Sequence, residues 1–153
     1  MHLSETRFLE FKRMQVLNNE NGRLVILERA NKTFATPFLN TDYKMFVALA
    51  TTNSGNVDRG IELFKAIVKE NPRRYDGYQF LASIYEQQKK YALAISERLK
   101  AKNINPWGAD SLLELQKDYL AIGDNESALK IKDEIVNMAP NTEISKSAQA
   151  LNS

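Results

Sequence analysis

The sequence predicts an all-α fold, an array of antiparallel helix pairs stacked in chain order. Three observations predict it. Pro72, Pro106 and Pro140 stand 34 residues apart, twice over, and a fixed period of that size marks a repeat architecture. Between the prolines, apolar residues return at steps of three and four, the spacing of one helical face, rather than at the step of two that marks a strand. Small residues recur at matching places, Ala48 and Ala82 in the first helix of a pair and Gly60, Ala94 and Ala128 in the second. Two helices approach closely only where a side chain is nearly absent.

The central copy, residues 75–108, carries the pattern most fully. Tyr78, Leu81, Ala82 and Tyr85 fall on one stripe of a first helix, with Gln79, Ser83, Glu86 and Gln87 on another. Lys89 and Lys90 interrupt the apolar pattern; Tyr91, Ala94, Ile95, Leu99 and Ala101 resume it as a second helix. Asn105 and Pro106 end that helix, because proline lacks an amide donor and biases the residue before it away from the α region.

Residues 41–74 form the copy before it. Val47, Ala48 and Thr51 take the places of Leu81, Ala82 and Tyr85, Gly55 makes the turn, and Phe64, Ile67 and Val68 line the second helix. Gly60 within that helix costs about 1 kcal/mol relative to alanine, which a close helix crossing there would explain. Residues 109–142 form the copy after it. Leu112, Leu115 and Tyr119 line its first helix, Gly123 turns, Asp124 is the expected N-cap, and Ala128, Ile131, Ile135 and Val136 face inward. Gln116 stands where Ala48 and Ala82 stand, which predicts a looser crossing in this copy. Residues 143–153 are expected to be a capping helix and tail, with Ile144, Ala148 and Leu151 on its inner side, because the last pair of an array needs a half-polar lid.

Residues 1–40 are expected to be a degenerate N-terminal helical hairpin. Phe8, Phe11, Met14 and Leu17, and then Leu24, Leu27, Ala30 and Phe34, suit two helices. The competing reading for residues 4–36 is a β-hairpin, because Asn21-Gly22 lies between apolar runs and Val25 and Ile26 are β-branched. The non-alternating spacing favours the helices.

Composition narrows the function. The chain has 153 residues, 43% hydrophobic content and no cysteine, so it is long enough for a globular core and has neither disulfides nor a thiolate ligand or nucleophile. His2 is the single histidine, which argues against an imidazole metal site or a catalytic triad. Residues 41–153 hold fifteen Lys/Arg and fifteen Asp/Glu. A neutral array lacks the basic face that nucleic acid requires, and an RNA-binding helical-hairpin reading is disfavoured on that ground. No run approaches the roughly 20 apolar residues of a membrane span, and the N-terminus lacks an apolar signal core. The reading is a non-enzymatic chain without cofactor or metal, in the cytoplasm by default.

Residues 41–142 resemble the tetratricopeptide repeat family. The resemblance rests on Gly55, Phe64 and Pro72 in the first copy, Tyr85, Ala94, Ala101 and Pro106 in the second, and Tyr119, Gly123, Ala128 and Pro140 in the third. No copy carries the whole pattern; the double 34-residue interval adds the rest of the signal. The resemblance implies a right-handed α-solenoid whose concave surface, lined by the first helices, binds peptide segments of other proteins. That surface would present Met45, Leu49 and Asn53, then Gln79, Ser83 and Gln87, then Leu113, Lys117 and Ala121. These are also the stripes left over once the packing positions are assigned. The family's two-carboxylate clamp for chaperone C-termini uses Lys, Asn and Arg on this surface; of the matching residues here only Lys117 would serve. A mixed apolar and amide groove instead suits a partner helix or extended segment with apolar anchors. Oligomer formation through the ends of the array is compatible with the same architecture.

A second resemblance concerns the C-terminal wording. NPWGADSLLELQKDYLAIGD followed by MAPNTEISKSAQA looks like the repeat tails of bacterial membrane proteins of the O-antigen polymerase or ligase type. It implies a regulatory or assembly tail with its membrane portion upstream, tethered to the membrane, and Met1 as an internal residue.

Several isolated residues suit more than one role. Asp42, Asp76 and Asp110 recur at the start of each first helix and read as helix caps rather than a row of acids for a ligand. Arg73 and Arg74 read as a solvated turn rather than a phosphate site. Trp107 reads as a cover over the junction between two repeats rather than a partner's anchor.

Overall fold

A computed structural model describes residues 41–152, and the readings for residues 1–40 lie outside them. Among the described residues there are seven α-helices and no strand. They are α1 (Thr41–Asn53), α2 (Val57–Glu70), α3 (Tyr75–Gln87), α4 (Tyr91–Ile104), α5 (Ala109–Ala121), α6 (Asn125–Met138) and α7 (Glu143–Leu151). Each odd-numbered helix from α1 to α5 packs against its successor as an antiparallel pair. The described residues fall into two compact units, one ending at Glu70 and the other beginning at Asn71.

The turn within each pair is the same motif three times. After α1, Gly55 N–H donates to Thr52 O and Asn56 N–H to Thr51 O; after α3, Lys89 donates to Glu86 O and Lys90 to Tyr85 O; after α5, Gly123 donates to Leu120 O and Asp124 to Tyr119 O. This pairing satisfies the last carbonyls of a helix and requires a left-handed residue just past its end. Gly55 and Gly123 hold that conformation at φ 96° and 79°, and a glycine meets no steric penalty there. In the central copy Lys89 holds it, at φ 58°.

In the first unit, Tyr43, Val47 and Ala48 of α1 meet Leu63, Phe64 and Ile67 of α2 in a core with almost no exposure. Gly60 explains the close crossing: a Cβ built on it would lie 1.9 Å from Thr52 Oγ1. Lys44, though buried, extends its ammonium to the Glu70 carboxylate at 2.6 Å. In the second unit, Tyr78, Leu81, Ala82, Ile84, Tyr85, Ala94 and Ala101 are buried. Further along, Ile95, Leu112, Leu115, Ile131, Ile135 and Ala148 form one apolar cluster, with Leu113, Tyr119, Met138 and Ile144 packed against it.

The helix starts differ from expectation in one respect. Asp76 and Asp110 lie inside the first turns of α3 and α5, whose N-caps are Arg74 and Gly108. Asp42 likewise lies in the first turn of α1. These acids act through the helix dipole rather than as side-chain caps, and Asp76 also pairs with Arg74 at 2.6 Å. Side-chain caps occur at α6, where Asp124 accepts from the Ser127 N–H, and at α7, where Thr142 accepts from the Ser145 N–H. The bonds from the Ser127 N–H and hydroxyl hold the Asp124 carboxyl below its ordinary value.

Two further expectations change. Gln116 does not loosen the third crossing; it is fully buried, and its amide donates to Ala148 O at 2.8 Å and to the Asn152 side chain. It thereby fastens α7 to α5. In α7, Ile144 and Ala148 face inward as expected and Ser145 is buried with them, whereas Leu151 is exposed.

Candidate functional site

The nine residues expected on a binding surface divide between the two units. On α1, Met45 is 6% exposed and belongs to the core, Leu49 is half-buried and Asn53 is exposed. In the second unit, Gln87, Lys117 and Ala121 are exposed, and Gln79, Ser83 and Leu113 are half-buried. Leu113 packs against the apolar cluster from its edge, so it joins the core to the surface. Lys117 pairs with Glu114 at 2.8 Å, an exposed i,i+3 contact of small energetic weight.

Between α3 and α5 these residues stand over a buried polar network that the sequence reading did not anticipate. Its centre is Arg98 of α4, only 3% exposed. The Arg98 guanidinium donates to Glu86 of α3, to Asp118 Oδ2 of α5 at 3.0 Å and to Gln79 Oε1 at 3.2 Å. The Ser111 hydroxyl donates to the same Gln79 oxygen at 3.0 Å, and the Gln79 amide donates to the Tyr75 hydroxyl at 3.0 Å. Burial first, and then the neighbouring Glu86 carboxylate, push the Asp118 carboxyl up to about 7, against the opposing pull of Arg98.

The sequence contained a signal for this centre. Ala94, Arg98 and Ala101 are spaced four and three apart, so Arg98 lies on the stripe that packs inward, where a cation needs partners. Leu99, expected on that stripe, is instead exposed. Trp107 is also placed differently from expectation. At 77% exposure it covers nothing; its backbone N–H rests on the Asn105 side chain, and the indole faces solvent.

Among the described residues, no group of three or more His, Asp or Glu side chains is arranged to hold a metal ion. Among them, too, no helix is long and apolar enough to cross a membrane.

Paired helices with a common turn and a 34-residue repeat define the tetratricopeptide repeat fold, and comparison with solved structures agrees. A tetratricopeptide repeat protein from Parabacteroides merdae is similar over 97% of this chain and 58% of its own, at TM-score 0.84 and 13% identity. MamA from AMB-1 is similar over 97% of this chain and 80% of its own, at TM-score 0.74 and 19% identity. The first repeat domain of Spaghetti (RPAP3), bound to the HSP90 peptide SRMEEVD, matches 74% of this chain and 94% of its own, at TM-score 0.60 and 21% identity. No protein-family profile matches the sequence, and no curated protein does. The resemblance of the C-terminal wording to O-antigen polymerase or ligase tails gains no support from these comparisons.

Proposed function

We propose that the chain is a non-catalytic scaffold that binds a segment of another protein, and that the segment lies along the α3 and α5 faces of the second unit. The observation that carries this reading is the surface left outside the core there: Gln79, Ser83 and Gln87 on one helix, Leu113, Lys117 and Ala121 on the next. Amide and hydroxyl groups on such a face bond a partner's backbone, while Leu113 offers an apolar edge to a side-chain anchor. Leu49 and Asn53 of α1 supply the corresponding positions in the first unit.

The likeness to the peptide-bound repeat domain of RPAP3 supports peptide binding as a use of this fold. An acidic peptide such as the one in that structure suits this face poorly. Lys117 is engaged by Glu114, and the buried Arg98 is held by two carboxylates. A helix or extended segment with apolar anchors and few acids fits better.

The experiment is site-specific photo-crosslinking in cells from Ser83 and Gln87, compared with Ser147 on the exposed side of α7. The expected result is a discrete protein adduct from the first two positions alone, lost when Lys117 and Ala121 are both changed to Glu. Equal adducts from all three positions, or adducts unaffected by the double change, would count against this face.

A further inference from the structure

Two carboxylates and one guanidinium meet where α3, α4 and α5 join, and their charges do not balance. Arg98 and Asp118 are 3% and 2% exposed, while the Glu86 side chain keeps 23% of its surface in solvent. We propose that Glu86, Arg98 and Asp118 form a proton-operated latch. With one proton between the carboxylates it clasps the three helices, and loss of that proton releases Glu86 and slackens the joint.

With Asp118 protonated, its hydroxyl donates to Glu86, and Arg98 faces one negative charge in a site with little water. With both acids ionised, one negative charge is left without compensation in the same enclosed space, which is strongly unfavourable. Burial and the adjacent Glu86 raise the Asp118 carboxyl to about 7, so the change falls near neutrality. Glu86 is the group with an outlet to solvent.

Most other charged groups on the packed elements have ion-pair partners outside the cluster. On α5, Glu114 and Lys117 pair with each other at the surface. On α4, Lys100 pairs with Glu97, whose side chain keeps 13% of its surface in solvent, and Lys102 pairs with Glu134. From α6 and α7, which also pack on α5, Ile131, Ile135 and Ala148 enter the shared core. The acids and lysines of these two helices pair at the surface, Lys130 with Glu126, Lys132 with Asp133 and Lys146 with Glu143. On α3, Asp76 is engaged by Arg74.

Gln79 links the latch to the proposed binding face, since it accepts from both Arg98 and Ser111. Only this link rests on the proposed function; the latch itself does not.

The sign is fixed by linkage. An acid whose folded value lies above its unfolded value near 3.9 binds its proton more tightly in the folded chain. Its stabilising contribution is complete below about pH 4 and is lost as pH rises toward 7. Thermal melts of the full chain between pH 5 and pH 8 should show Tm falling by roughly 5 °C or more. Asp118→Asn, which mimics the protonated acid, should flatten that profile and melt above the natural chain at pH 8. Glu86→Gln should shift the fall toward acid. A second readout keeps the idea testable if Asp118→Asn does not fold: carboxyl carbon NMR of the natural chain should show an aspartate titrating near neutrality. A flat profile in the natural chain, a profile that Asp118→Asn leaves unchanged, or aspartates that all titrate below pH 5 would overturn the latch. None of these measurements involves a partner, so its failure is separable from failure of the binding face.

Discussion

Lys89 occupies the left-handed position that Gly55 and Gly123 occupy in the neighbouring copies. A residue with a Cβ meets a penalty of roughly 1–2 kcal/mol there, partly offset by the greater freedom of glycine in the unfolded chain. Lys89→Gly should therefore raise stability by about 0.5–1 kcal/mol in urea unfolding, and Gly123→Ala should lower it by a similar amount. Gly60 presents the opposite constraint, one of space rather than dihedral angle. Its Cα faces Thr52, whose hydroxyl donates to Ala48 O at 2.9 Å. Gly60→Ala should destabilise by roughly 1–3 kcal/mol, as overpacking does, and Thr52→Ala should recover part of that loss in a double-mutant cycle. A small residue in a helix interior can be read from sequence as a crossing point. The threonine that fills the space cannot, because it lies on the other helix of the pair.

At the scale of the element, helix positions were legible because proline and glycine punctuate each copy and the apolar stripe has one period. Two features were not legible. Asp42, Asp76 and Asp110 look like caps from their spacing, but the chain enters each helix one or two residues earlier, and helix ends are the least determined part of any pattern. Gln116 looks like a defect in the small-residue stripe, yet it is the bond between α5 and α7. Its partner Ala148 is 32 residues away, beyond the reach of any local periodicity. Gln116→Ala should lower stability by roughly 1–3 kcal/mol by leaving the Ala148 carbonyl unpaired. Amide exchange should locate the loss of protection in α7 first, since it is the shortest of the described helices. The same limit hid the buried network. Arg98 could be placed on an inward stripe, but Glu86 and Asp118, 12 and 20 residues from it, become its partners only when three helices meet.

At the scale of the molecule, the boundary between Glu70 and Asn71 divides the chain into two compact units. Residues 71–153 contain two complete pairs and the fastened α7, so they should fold when expressed alone and melt cooperatively in far-ultraviolet circular dichroism. A gradual, non-cooperative melt would show that this unit depends on the rest of the chain. The nine expected surface residues were half legible in this sense: their helical faces follow from periodicity, but enclosure does not, and Met45 is where the difference shows. Trp107, finally, gives the molecule an unusual optical character. It is the single tryptophan, and its indole already sits in water in the native chain. Its fluorescence should therefore barely shift on denaturation.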